Sequence, residues 1–265
     1  MMIKWMDDPG HGGHDPGAVG NGLKEKDIVM KIALMNRELI KEYEGIEHRL
    51  TRDRDTFVSL QDRVKMANDW GADYFTSLHV NAATPSANGY EDFVARVASA
   101  KSIANRNVMH DEIRKITSQF TNRGKKTAAF YVIAHTKMPA ILTESGFISN
   151  PQDAALLKDE NFLYKIAQGH VNGVVKIFGL KKKIVVPVSA SQAQNQPAVR
   201  IQTGGLDSAD KIKEISEFLM TKRWWAQLQF ENNRNPRITT GGLNPSMRKE
   251  FEDWLKERNW WYTIV

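Results

Sequence analysis

The sequence predicts an α/β protein. A twisted, mostly parallel sheet flanked by helices occupies residues 1–180, and a small α+β module made of two strand-helix-strand repeats occupies residues 199–265. Three observations carry this reading. Short apolar runs alternate with longer helical periodicities through residues 1–180, the pattern of strands joined by helices in a parallel sheet. The stretch "LKKKIVVPVSASQAQNQPAV" (180–199) offers little that could form a core, and reads as a flexible linker over residues 181–198. Beyond it, Thr203-Gly204-Gly205-Leu206 recurs 37 residues later as Thr240-Gly241-Gly242-Leu243, and Trp224-Trp225 recurs 36 later as Trp260-Trp261.

The elements follow in order. "MIKWM" (2–6) is a strand. From Glu25, Ile28, Ile32, Met35 and Leu39 recur at 4-3-4 spacing, one face of an amphipathic helix that stops by Gly45. "HRLTR" (48–52) is a short strand. Ser59 caps a helix that ends at Gly71. "ADYFTSLHVNA" (72–82) and "GYEDFVARV" (89–97) are strands, and a helix runs from Ser99 to about Phe120. "AAFYVIA" (128–134) and "PAILTESGF" (139–147) are expected as strands, and Glu160 to Phe178 closes the half as a helix. In the repeats, Ile212, Ile215 and Leu219 mark one helix face, and Met247, Phe251 and Trp254 the other. Units this small cannot stand alone, so the two are expected to share one sheet.

Composition narrows the function. The 265 residues are 41% hydrophobic and 26% charged, as in a globular protein. No apolar run approaches the roughly 20 residues that span a bilayer, so no membrane insertion is expected. The start of the chain carries no signal-peptide pattern. There is no cysteine, so disulfides, thiolate ligands and a cysteine nucleophile are excluded, and any metal must be held by His, Asp or Glu. The net charge is +6, unevenly spread: residues 1–180 carry 23 Lys+Arg against 22 Asp+Glu, and residues 181–265 carry 14 against 9. A basic C-terminal third favours a polyanionic partner such as nucleic acid, a membrane surface or an anionic wall polymer. Nucleic acid is not expected, since the linker and repeats carry no nucleic-acid-reading motif.

The chemistry concentrates in "DDPGHGGHDPGAVGNGLKEKD" (7–27). His11 follows the first strand, Glu25 opens the first helix, and His79 ends the strand "YFTSLH". All three can reach one edge of the sheet, beyond the carboxyl ends of the strands, where α/β proteins gather reactive groups. Two His and one Glu form a catalytic zinc set with a fourth position left for water. Glu144, at the end of "ILTES", is a carboxylate able to take a proton from that water and pass it to a leaving nitrogen. These parts suffice for metal-assisted amide hydrolysis.

The blocks "DPGHGGHDPGAVGNGLKEKD", "LTRDRDTFVSLQDRVKMAN", "SLHVNA", "GYEDF", "PAILTESGFISN" and "DAALL" together resemble the zinc-dependent N-acetylmuramoyl-L-alanine amidases of the Amidase_3 type, in that family's order, over about residues 3–180. The resemblance implies Zn2+ held by His11, Glu25 and His79, Glu144 as the catalytic carboxylate, and peptidoglycan as substrate, cut between muramic acid and L-alanine. Asp7 departs from the family, which usually has an apolar strand residue there. The repeat half looks like the small surface-binding modules of phage and bacterial wall amidases, and is similar to the SPOR-type peptidoglycan-binding fold. The missing signal-peptide pattern favours a phage endolysin held in the host cytoplasm until a holin opens the membrane. A host autolysin of the same chemistry, a zinc peptidase cutting within the stem peptide, and a binding protein with a decayed enzyme half are the alternatives.

Other residues read more plainly. Asp8, His14 and Asp15 are expected to orient the ligands. Asn81 either bonds the site or holds the strand end, and His135 faces either cleft or surface. His48, His110 and His170 are ordinary, Arg52 is a structural ion-pair residue, and the run Lys181–Lys183 is solvated linker. Of each Trp pair one member is expected in the core, because neighbours on a strand face opposite sides.

Overall fold

The computed structural model describes residues 2–183, 199–222, 224–230 and 236–265; the linker expected from the sequence falls mostly on 184–198, outside them. The chain divides into two compact units, residues 1–184 and 185–265.

In the first unit the elements are β1 (Ile3–Pro9), β2 (Val19–Gly20), β3 (Leu23–Lys24), α1 (Glu25–Ile40), β4 (Ile46–Leu50), α2 (Leu60–Trp70), β5 (Tyr74–Asn81), β6 (Tyr90–Ala95), α3 (Ala100–Ile116), β7 (Asn122–Ala128), α4 (Tyr131–His135), β8 (Ala140–Phe147), α5 (Pro151–Lys158) and α6 (Glu160–Phe178). Six strands form one sheet in the order β4-β1-β5-β8-β6-β7. The sheet is mostly parallel: only the β6–β8 pair is antiparallel. Alternate side chains go to opposite faces. Trp5, Tyr74, Leu78, Ile141 and Tyr90 pack with α1, α3 and α6, while Met6, Phe75, Leu142 and Ala140 pack with α2 and α4.

Helix ends follow local chemistry. The Ser59 and Ser99 side chains accept from the backbone N–H groups of Asp62 and Ser102, and Gly71 and Gly179 close α2 and α6 in the left-handed region. α1 ends at Ile40, short of the Gly45 expected from its pattern. β1 continues past Met6 through Asp7 and Asp8 to Pro9, longer than its apolar run. Asp7 is tolerated there because it is fully buried among donors, accepting from Asn36 Nδ2 at 2.8 Å, from Thr76 Oγ1, and lying 3.3 Å from His48 Nε2.

One expected strand is wrong. "AAFYVIA" is not extended: β7 ends at Ala128 and Tyr131–His135 is a helical turn. Adjacent Val132 and Ile133 are both buried against Ala140 and Leu142, which a strand would place on opposite faces.

In the second unit β9 (Ile201–Thr203), α7 (Ala209–Lys222), β10 (Ala226–Gln229), β11 (Arg237–Thr240), α8 (Pro245–Glu257) and β12 (Tyr262–Ile264) build one antiparallel sheet, ordered β10-β11-β9-β12, against two helices. The repeats interlock as matched halves. Ile201 N–H donates to Thr240 Oγ1 and Ile238 N–H to Thr203 Oγ1, each at 3.0 Å. Gly204 N–H donates to Trp261 O at 2.7 Å and Gly241 N–H to Trp225 O at 2.8 Å. Trp224 and Trp260 pack against the core, while Trp225 and Trp261 are 66% and 65% exposed.

Candidate metal centre

The carboxyl ends of β1, β5 and β8 meet at one edge of the sheet, and the first turn of α1 comes to the same place. His11, Glu25 and His79 each offer a ligand atom there, all within 4.8 Å of one another. Glu25 is buried between the two imidazoles. Its Oε2 lies 3.1 Å from His11 Nε2 and its Oε1 lies 2.8 Å from His79 Nδ1. Each oxygen also accepts a backbone N–H, from Ala18 at 2.8 Å and from Val80 at 3.0 Å. Burial pushes the Glu25 carboxyl up, but hydrogen bonds from His11 and His79, and their charges, overcome this and hold it far below the usual carboxylate range. His11 is raised overall: burial lowers it, while Glu25 and Asp15 more than compensate.

The local sequence explains the convergence. His11 sits at φ 61°, a left-handed conformation rare for a residue with a side chain, and the turn around it is closed by reciprocal Gly12–Asp15 backbone hydrogen bonds of 2.9 and 3.1 Å. Asp15 Oδ2 accepts from His11 Nδ1 at 2.8 Å, which fixes the ring and turns Nε2 towards Glu25. Two glycines make room. A Cβ on Gly10 would meet His79 Cε1 at 2.3 Å, and one on Gly17 would meet Glu25 Oε2 and His11 Cδ2 at 2.6 Å. Two arginines hold this loop from beneath. Arg63 donates to the carbonyls of Pro9, His11 and Val58 and to Asp8 Oδ1; Arg52 donates to the carbonyls of Pro9, Gly10, Lys26 and Arg54. Arg52 is thus a clamp on backbone oxygens and not the ion-pair residue expected. Burial and the neighbouring Arg63 lower its pKa to about 10.

Glu144 is the cross-strand neighbour of His79 in the β5–β8 pair, and the register shifts immediately after them. That irregularity, with Gly146 at φ 85°, ends regular pairing beside the site, with Glu144 on the strand next to His79. Glu144 Oε2 is buried with no hydrogen-bond partner. Burial, then the charges of Glu25 and Glu91, push its pKa well above the ordinary value. An unpartnered carboxyl oxygen on the residue paired with His79, within electrostatic reach of Glu25, is suited to moving a proton. A shallow cavity lined by Gly10, His11, Asp15, Phe57, Leu60, His79 and Val132 opens next to the centre.

The other sequence candidates separate clearly. Asp15 orients His11, as expected. Asp8 is buried behind the loop on Arg63, Thr51 and Ser77. His14 is exposed against Phe57, with ring centroids 4.2 Å apart. His135 is exposed and stacks on Tyr131. His48, His110 and His170 are internal: His48 lies against Asp7 and His110 against Asp92, while His170 Nε2 is 3.0 Å from Thr143 Oγ1. Asn81 holds the strand end, donating to Glu91 Oε1 at 2.7 Å and accepting from Ala82 N–H, with no bond to the three donors. Sequence reading missed Arg63 and Glu91. Arg63 sits one helical turn after the Ser59 cap with no pattern to single it out, and Glu91 is one of two adjacent acidic residues in a largely apolar strand.

Similarity to known proteins gives the family. Residues 6–176 match the Amidase_3 family, described as N-acetylmuramoyl-L-alanine amidase, and the chain belongs to it. The chain is 46% identical over 182 residues to the N-acetylmuramoyl-L-alanine amidase CwlM of Bacillus licheniformis, covering 68% of this chain and 71% of that protein. It is 44% identical over 185 residues to the endolysin of Bacillus phage SPP1, covering 68% of each. Among solved structures, the catalytic domain of the amidase CwlV from Bacillus (Paenibacillus) polymyxa var. colistinus aligns with a TM-score of 0.65 at 38% identity, covering 68% of this chain and all of that one. The chain is therefore an N-acetylmuramoyl-L-alanine amidase acting on peptidoglycan, with a mixed six-stranded sheet flanked by helices as its catalytic fold and a small α+β region in its C-terminal part. Among the described residues, no helix is long and apolar enough to cross a membrane.

Proposed function

We propose that the enzyme is zinc-dependent, with His11, Glu25 and His79 holding the ion and Glu144 carrying the proton. The convergence of those three donors within 4.8 Å, beside an unpartnered buried oxygen of Glu144, is the observation that carries this reading. The donor set suits zinc: two imidazoles and one carboxylate, with no thiolate. When bound, zinc lowers the pKa of a coordinated water and polarises the substrate carbonyl. The chain's own residues do the rest. Glu144 accepts the proton of the attacking water. As the C–N bond breaks, it delivers that proton to the nitrogen of L-alanine, so the lactyl carbonyl leaves as a carboxylate and the stem peptide as a free amine. Asp15 keeps His11 in one tautomer, and Arg52 and Arg63 hold the loop that presents it.

Residues 199–265 are proposed to be a wall-binding module, joined to the catalytic domain (1–180) by the linker 181–198. Two exposed indoles, Trp225 and Trp261, on matched repeats offer flat apolar faces for sugar rings. The module's basic excess suits an anionic wall polymer. Lysis of a bacterial wall as a phage endolysin is supported by the 44% identity to the SPP1 endolysin. A bacterial autolysin of the same chemistry is the second reading, supported by the 46% identity to CwlM.

Digestion of purified peptidoglycan with and without a chelator, read by mass spectrometry, tests the proposal. Free stem peptides beginning at L-alanine, intact glycan strands, and activity lost to chelator and restored by zinc are the expected results. Cleavage within the stem, or digestion indifferent to chelator, overturns it.

A further inference from the structure

β7 forms the edge of the sheet next to β6, and β6 pairs with β8 so that Glu91 stands opposite Glu144. Glu91 is buried and acts as a hub. Its Oε1 accepts from Asn81, and its Oε2 accepts from Arg123 Nε at 2.8 Å and from Lys126 Nζ. One carboxylate thus meets two cations, while the neighbouring Lys125 has Asp111 to itself. Arg123 and Lys126 outnumber the one carboxylate that they share. The two cationic side chains stay 33% and 38% exposed, against 6% for Glu91. They are also held in place from the side: Arg123 lies over the Phe147 ring at 4.7 Å and Lys126 over Phe93 at 5.9 Å.

The direction of the reaction decides what could use that charge. The metal-binding residues lie on the β1–β5 side of Glu144, and Arg123 and Lys126 lie on the other side. A leaving amine must face Glu144 to receive its proton, so the peptide half of the substrate extends towards β7. Adjacent strands are about 4.8 Å apart, which puts β7 roughly 10 Å from β8. Two extended residues reach at most about 7 Å, and a charged hydrogen bond adds roughly 3 Å. The group that arrives there is the one carried by the second residue of the stem, a γ-linked D-glutamate whose α-carboxylate is free unless amidated.

We propose that Arg123 and Lys126, pre-positioned by Glu91, form a subsite for the free α-carboxylate of the second stem residue. This rests on the amidase activity, and it makes the two cations specificity residues. Neither touches the reacting atoms.

The test uses the full-length, zinc-loaded enzyme and two synthetic muramoyl-peptides that differ only in having that α-carboxylate free or as the carboxamide. The quantity read is the ratio of kcat/KM values, acid over amide. The ratio is insensitive to a partly unfolded sample, which lowers both rates alike. The wild type is expected to favour the acid by about tenfold, the scale of one charge-assisted hydrogen bond. Arg123→Gln and Lys126→Met each leave Glu91 one cation, and each should lower the ratio at least about threefold. Arg123→Lys should retain more of it than Arg123→Gln. A wild-type ratio near one, or single variants that keep the wild-type ratio, overturns the subsite and leaves the amidase reading intact. A wild-type enzyme that releases no stem peptide from either substrate overturns that reading, and the subsite with it.

Discussion

Gly10→Ala is a one-methyl test of the metal centre. Gly10 follows β1, and its N–H donates to Leu78 O at 3.0 Å, a bond that alanine keeps. Its φ is not among the positive ones, so the backbone tolerates a side chain. The methyl itself does not fit: it would lie 2.3 Å from His79 Cε1, 2.7 Å from Nε2 and 2.9 Å from Nδ1. Carbon atoms pack at about 3.5 Å, so the imidazole must retreat by roughly 1 Å. Metal–ligand distances tolerate only about 0.2 Å. The variant should therefore fold and yet lose His79 as a ligand, with zinc affinity reduced at least about 100-fold. Zinc content after dialysis, and competition against a chromophoric chelator, measure this; circular dichroism and thermal melting report the fold. Gly22→Ala is the matched control, since Gly22 has φ 77° and no atom within 4 Å of its would-be Cβ. That change should cost about 1 kcal/mol of backbone strain and leave zinc binding unaltered. A Gly10→Ala protein that holds one equivalent of zinc with wild-type affinity would refute the assignment of His79 as a ligand.

Glu144→Gln should keep the metal and lose activity by about 10²–10⁴-fold, because the amide cannot carry the proton; peptide release alongside zinc content decides. Arg63→Met should be among the most damaging changes that touch no ligand. Arg63 and Asp8 are 3% and 1% exposed and 2.7 Å apart, and breaking such a buried pair costs about 3–5 kcal/mol. At 2–4 °C per kcal/mol, the melting temperature falls by roughly 6–20 °C, and a fall of under about 1 °C contradicts the clamp. The same pair has a pH signature. Burial raises the Asp8 pKa, but Arg63, Thr51 and Ser77 outweigh it, so the folded value is depressed below that of an ordinary aspartate. Its contribution is complete above that value and is lost as pH falls through the lower folded one. Melting curves of wild type and Arg63→Met should accordingly converge on acidification below about pH 4, and parallel curves would argue against it. Residues 199–265 alone should pellet with purified walls without releasing peptide, and a fragment left in the supernatant sinks the wall-binding proposal.

The long helices and the central strands were legible from the chain because their order is local. Ile28, Ile32, Met35 and Leu39 repeat with the helical turn whatever they pack against, and Glu160–Phe178 carries both its Asp159 cap and its Gly179 stop in sequence. The meeting of His11, Glu25 and His79 was legible because each closes or opens such an element, and strand ends in a parallel sheet share an edge. α5 was missed although Asn150 before Pro151 announces it, with the Asn150 side chain accepting from Gln152 and Asp153. β7 could not be read, because "NRGKKTA" is a basic edge strand with no apolar face to declare. The same limit governed the supporting residues. Arg63 reaches His11 across 52 positions, and Arg123 reaches Glu91 across 32. Periodicity reports which face of an element is buried, a property of neighbouring residues. Which charge meets which across the sheet depends on strand order and register, and these exist only once the chain has closed on itself.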